Sequence, residues 1–417
     1  MRFPMGSSFS GSQEAAAEAA ASVLRSTPAI RERAGQLLRR ARAGDSRWFT
    51  VDDGQAAATA DLVVSCVRGR QPPLHSIWRA VEAGGMNRRG HLDALMGGLP
   101  IASKTHALVD FTAVAVFLGG MAARGWRYTE AASGRAFEGE QGLAVATLHA
   151  FAGGLFSGDP QHPLQADSTG LRALLPAHLA AAFQVTEANA LPGLGERATL
   201  LRRLGEVMAE QPEVFGDAGR PGGLFDMIVT PFGHGVPHTA DVAAHDILSQ
   251  VLVSLSQLWP AGNTLGELAL GDCWRHEAVR GEGASDGWMP LHERAQWLSY
   301  SLLEPFEWAG VKVRDVDLLT ALPDPATCGL LLDTGWLRLR DPDMAQEHWR
   351  PRDEIVVEWR ALAVALMDEL GSTLRERLRL DATHQPLARL LGSAQAAGRA
   401  QAERLRAGRP PLLVQWP

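Results

Sequence analysis

The sequence predicts a mainly α-helical, irregular globule with few short strands. Three observations carry this expectation: apolar residues recur at three- and four-residue spacing along most of the chain, strand-type alternation is sparse, and Gly/Pro-rich turns separate helical stretches of unequal length. The 417 residues are 46% hydrophobic and 21% charged. That composition supplies a sizeable core and lies outside the range of disordered chains. Residues 26–389 are expected to form one helical domain, either a single body or two intimately packed lobes. An N-terminal tail, flexible or helical, would occupy residues 1–25, and a peripheral C-terminal tail residues 390–417.

Taken in order, residues 1–12 read as disordered, and 13–24 is Ala/Glu-rich with strong helix propensity. The stretch 30–43, IRERAGQLLRRARA, sets apolar residues at helical spacing beneath a solvated basic face. Further helical patterns cover 53–68, 107–124, 142–153, 197–210, 239–258, 291–304 and 355–370. Arg197, Arg202 and Arg203 alternate with apolar residues in the fourth of these and are expected to face solvent. Turns fall at 216–223 and 230–237, and the best strand signals at 310–313 and 330–339. Strands and helices do not alternate as a doubly wound sheet requires, and no repeat recurs at a solenoid period.

The formal net charge is −7, so no basic field points to free DNA or RNA as a partner. Cys66, Cys273 and Cys328 are far apart and form no CxxC or Cys/His ligand spacing, which suits a reducing compartment. The first residues, MRFP, run into Gly, Ser and Ala without the apolar stretch of a signal peptide. The apolar run 108–121 is broken by Asp110 and Gly119-Gly120 and is expected to fall short of a membrane span. A cytoplasmic protein without a membrane partner is therefore expected, its oligomeric state open.

No GxxxxGK[ST] or HExxH motif occurs. His234 and His238, in PFGHGVPH, and His245 beyond them could be metal ligands. Their Gly/Pro setting fits ordinary loop histidines better, so neither a metal nor another cofactor is expected. The informative region is 288–370. There HERAQWLSYSLLEPFEW places His292, Gln296 and Ser299 or Tyr300 on one helical stripe, and Glu304 stands before Pro305. Glu358 and Arg360 open an almost wholly apolar helix, so at least one must be buried or paired. One reading makes them a buried ion pair and Asp324 a turn residue before Pro325; the other makes these groups functional.

At these segments the chain resembles the uracil catabolism protein four family, over roughly 26–370. The matching pieces include PPLHSIWRAVEAGGMNR, ALVDFTAVAVFLGGMAARGWRYTE, GLAVATLHAFAGGLFSGDPQHP, FGDAGRPGGLFD, GDCWRH, AQWLSYSLLEPFEWAG, LLLDTGWLRLRDP and VVEWRAL. A weaker similarity, carried by Ala295-Gln296, Leu319 to Asp324, Thr334 to Leu337 and Glu358 to Ala361, connects it to queuosine-phosphate N-glycohydrolases. Their helical fold is similar to that of helix-hairpin-helix DNA glycosylases.

The resemblance implies an N-glycosidic hydrolase in pyrimidine degradation, acting on a small ribosyl or ureido substrate such as ribosylurea and releasing urea. That chemistry needs a carboxylate near the anomeric carbon and a donor to the departing nitrogen. Asp324, Glu304 and Glu358 are the catalytic candidates. His292, Gln296, Tyr300, Trp297, Arg360 and Asp110 are the substrate-binding ones, with Trp288 and Trp359 as further pocket walls. The chain departs from the family pattern at Asp324 to Gly329, where relatives read Glu-Tyr-Arg-Asn-Gly-Gly. It departs again at Gln141 in place of Glu and at Glu293 in place of Lys. An amidohydrolase acting on the ureido group and a non-catalytic ligand- or partner-binding protein are the rival readings.

Overall fold

The computed structural model describes residues 7–67, 73–120, 123–229, 240–258, 263–380 and 386–416. Among these residues helices dominate, and the short strands pair only two by two, so no layered sheet forms. This is the mainly α, irregular globule that the periodicity predicts. The chain falls into two compact units. One comprises Met1–Leu74, Trp259–Gln296 and Asp315–Pro417, the other His75–Leu258 and Trp297–Arg314.

In the first unit the helix Thr27–Ala43 begins where Ser26 Oγ accepts from the Ala29 amide and ends at Gly44, whose φ of 83° is the left-handed conformation glycine adopts without strain. Its buried face, Ile30, Ala34, Leu37 and Leu38, packs against the helix Glu354–Leu378. The expected disorder of residues 1–12 gives way to a helix Ser7–Leu24, with residues 1–6 outside the described set. Ala20, Ala21 and Leu24 on that helix bury themselves against Leu265, Leu270, Cys273 and Trp288.

The segment 390–417 is not peripheral. The helix Leu387–Arg406 packs along Pro325–Asp333, and Leu387, Leu390, Leu391, Ala394 and Ala397 are buried. Beyond the three leucines near its start the buried face consists of small or polar residues, so an Ala/Arg-rich composition conceals a core helix. Small residues also permit close approach: a Cβ on Gly398 would stand 2.1 Å from the Ala326 carbonyl oxygen. Gly398→Ala should therefore destabilise the protein by about 1–2 kcal/mol, because overpacking against backbone outweighs the ~1 kcal/mol that Ala gains in helix propensity. Urea denaturation of the variant tests this, and unchanged or raised stability would refute the close packing.

The strand expected at 330–339 is mostly helix. Residues 330–333 end the helix Pro325–Asp333, and only Leu337–Leu339 is a strand, antiparallel to Phe49–Val51. A short, fully apolar run carries no period to separate the two states.

The second unit is built on the helix Ile101–Gly119. Its Phe111 lies 5.0 Å from Trp78 and 5.6 Å from Phe151 between ring centroids. Contrary to the sequence expectation, this helix is long and apolar enough to cross a membrane, although 72% of that stretch is buried within the protein. Arg197 also departs from expectation. It is buried and donates to the carbonyls of Leu118 and Pro192 rather than facing solvent. The expected strand at 310–313 appears as Lys312–Arg314, paired in parallel with Asp241–Ala243.

Candidate active site

The site in the first unit is organised by Asp272, in the turn between the strands Leu268–Ala269 and Cys273–Arg275. Its backbone carbonyl accepts from the amides of Leu291 and His292, each at 3.0 Å. Its carboxylate accepts from the Glu293 amide at 3.0 Å and from Trp274 Nε1 at 2.6 Å. An acidic side chain thus sits on the first turn of the helix Glu293–Trp308, where the unpaired amides and the helix dipole favour negative charge.

Arg360, near the start of the helix Glu354–Leu378, reaches the same point. Its Nη1 and Nη2 donate to both oxygens of Asp272 at 2.8 and 2.7 Å, and Nη2 also donates to Glu293 Oε2 at 3.0 Å. The Arg360 side chain is 3% exposed, while Asp272 and Glu293 are each 23% exposed. A planar fork held by two carboxylates is geometry that arginine supplies and lysine does not.

The electrostatics divide the two carboxylates. Burial pushes Asp272 up, but the Arg360 charge and hydrogen bonds, with the Glu293 amide and Trp274, hold it below the usual carboxylate range. Burial dominates at Glu293. Arg360 opposes it, the charges of Asp324 and Asp272 reinforce it, and the group is raised to about 7. Arg360 is disfavoured as a cation by burial but stabilised further by Asp272 and Glu293, and is raised on balance. Cys328 is raised well above an ordinary thiol by burial and by Asp324. It is therefore protonated and not a nucleophile.

His292 adopts a φ of 49°, a left-handed conformation uncommon outside glycine, immediately before the helix. Its Nε2 lies 2.9 Å from the Leu24 carbonyl, which can only accept, so Nε2 carries the proton and Nδ1 the lone pair. Burial lowers its pKa and keeps the ring neutral. His292 Nδ1 and Arg360 Nε are buried without a hydrogen-bond partner.

The other expected residues have different settings. Asp324 caps the helix Pro325–Asp333, accepting from the amides of Ala326 and Thr327, from Thr327 Oγ1 at 2.5 Å and from Gln395 Nε2 at 3.0 Å. Glu358 does not pair with Arg360. It accepts from Ser46 Oγ and lies 3.0 Å from His276 Nε2. Residues two apart on a helix face away from one another, which is why the pairing inferred from sequence fails. Gln296 is buried and ties the helix to Thr320 through its amide nitrogen and oxygen. The first unit therefore gathers Arg360, His292 and Asp324 around Asp272 and Glu293, and sets Glu358 in a separate polar cluster.

Glu304, Tyr300, Trp297 and Asp110 belong to the second unit. Glu304 is held by Ser76 and Arg79. Tyr300 is fully buried, and the Trp297 ring packs against Gly119. Asp110 is wholly buried and accepts from Arg220 and from the amides of Gly222 and Ala166, so it anchors the 216–223 turn instead of presenting a free carboxylate. Burial raises its pKa against the pull of Arg220. Arg220 in turn lines a cavity of about 500 Å³ together with His106 and Asp226.

The segment Gly283 to Gly287 has the GxSxG spacing of hydrolase nucleophiles. Its Ser285, however, is buried, donates to the Glu282 carbonyl and accepts from Arg33, in a short helical turn and not a strand-to-helix elbow. Among the described residues no three His, Cys, Asp or Glu side chains cluster as metal ligands. His234 and His238 lie outside those residues.

Fold and site together define a helical protein carrying a guanidinium-centred carboxylate cluster. Residues 23–416 match the family described as a protein of unknown function, DUF1688, and the chain belongs to that family. The chain is 33% identical over 398 residues to Protein urg3 of Schizosaccharomyces pombe, an alignment covering 92% of this chain and 95% of the relative. It is 30% identical over 335 residues to Uracil catabolism protein 4 of Lachancea kluyveri, covering 74% and 76% respectively.

Proposed function

We propose that the protein acts in cytoplasmic uracil catabolism as an N-glycosidic hydrolase, cleaving the C–N bond of ribosylurea or its phosphate to release urea and the sugar. The observation that carries this reading is the pairing of Glu293, raised to about 7, with Asp272, held ionised, on one arginine. Two carboxylates whose environments drive their proton affinities apart suit acid/base work at neutral pH. The printed name of one relative, Uracil catabolism protein 4, supports the metabolic setting.

In this reading protonated Glu293 gives its proton to the departing urea nitrogen as the C–N bond breaks. As the carboxylate, it then takes a proton from the water that attacks the anomeric carbon. Asp272 and Asp324 supply the negative field that stabilises the oxocarbenium-like transition state. Arg360 Nε is an unpaired donor and His292 Nδ1 an unpaired acceptor; a ureido group offers the complementary carbonyl and N–H.

Incubating the full chain with ribosylurea and with its 5-phosphate, and identifying products by mass spectrometry, tests the proposal. Urea with ribose or ribose phosphate is the expected result. Ammonia or carbamate would establish attack on the ureido carbonyl instead, and no turnover of either compound would reject the assignment.

A further inference from the structure

The end of the chain meets the cluster just described. Strand Leu413–Val414 pairs in parallel with His348–Trp349, the Gln415 amide donates to the Trp349 carbonyl at 2.9 Å, and Leu412 is completely buried. These contacts anchor a short strap whose next residue, Trp416, places its ring over the guanidinium of Arg360, with Cζ 5.5 Å from the ring centroid. Arg360 is in turn 3.0 Å from Glu293 Oε2.

Trp416 is 43% exposed. A large indole left half in water forgoes part of its burial energy. Here it follows directly on an anchored strand and its ring lies over a buried cation. An indole face attracts a guanidinium and at the same time covers it from water.

We propose that Trp416 is the wall of the site: the C-terminal strap holds its indole across Arg360, limits water around Glu293, and provides the apolar surface against which a flat, uncharged ureido ligand lies. The inference rests on the reading of this cluster as the substrate site. The charged groups facing Glu293 are Arg360 and Asp272, Asp324 at the head of its helix, and neighbouring Arg294. None of them is altered by changing Trp416. The variant therefore moves Glu293 through water access and the loss of the ring over Arg360.

The experiment compares W416A, W416F and a chain lacking residues 415–417, which keeps the Leu413–Val414 strand, with the parent. Titration of the Glu293 carboxyl is followed by NMR on protein carrying 13C-carboxyl glutamate, with the spectrum of E293Q assigning the signal. Kinetics with ribosylurea are measured alongside. In W416A and the truncated chain the Glu293 midpoint should fall from about 7 by at least one pH unit toward that of an ordinary glutamate. KM should rise about tenfold or more, and W416F should stay close to the parent in both readouts. An unchanged Glu293 midpoint in both W416A and the truncated chain overturns the proposal. If the midpoint moves while the parent turns over no ribosylurea, the covering role of Trp416 stands and the hydrolase reading fails.

Discussion

Glu293→Gln is expected to lower kcat/KM for ribosylurea by about 10²–10⁴-fold while leaving the fold intact, because the amide keeps the shape of the side chain but has no acidic proton to deliver. On the proposed function the parent should lose activity as pH rises through about 7, where Glu293 ionises, and the residual activity of the variant should lack that limb. The substitution should act on stability in the opposite sense to its action on activity. Glu293 has a folded-state pKa raised from 4.5 to about 7, so its favourable contribution is complete below the unfolded value and is lost as pH rises through the folded one. Above pH 7 the variant should therefore be more stable than the parent, by on the order of 2–3 kcal/mol after allowance for the quarter of the side chain that meets solvent. Near pH 4 the difference should vanish. Urea melts across that range supply the test, and equal stability at pH 8 would mean that folding does not raise the proton affinity of Glu293.

Much of the helical architecture was legible because a buried helical face repeats every three to four residues whatever the tertiary context. The stretches 30–43 and 355–370 lie within the observed Thr27–Ala43 and Glu354–Leu378 helices for that reason. Where period is absent, legibility ends: 330–333 could be strand or helix, and the Ala/Arg-rich composition of Leu387–Arg406 resembles that of a solvated tail. The site was only half visible. Arg360 was recognisable as a cation that an apolar helix could not leave alone, but its partners lie 88 and 67 residues away in sequence, and no local pattern names them. Asp272 lies within GDCWRH, and Glu293 stands where the family pattern has Lys. Neither could be placed against Arg360 without the turn that folds Asp272 onto the start of the Glu293 helix. Asp324, one of the three catalytic candidates, caps the helix Pro325–Asp333.

Arg360→Met should destabilise the first unit by about 3–5 kcal/mol at neutral pH, the cost of leaving buried carboxylates without their cation. The loss should depend on pH in a direction that Asp272 dictates. In the parent this carboxyl is held below its usual range, so it contributes stability above its unfolded pKa and loses it only as pH falls through the folded value. Without Arg360 that contribution is gone, and the gap between parent and variant should narrow as acid protonates Asp272. Arg360→Lys should recover only part of the loss, since one ammonium cannot reproduce the fork across both Asp272 oxygens together with the contact to Glu293. The deciding variant is the double substitution D272N/R360M. If the penalty comes from an unpaired buried charge, neutralising Asp272 should make the double variant more stable than R360M alone, although two wild-type groups are then missing. If it comes instead from lost packing of the Arg360 stem, the double variant should be no better than the single one, and chemical denaturation of the three proteins at pH 7 separates the two causes.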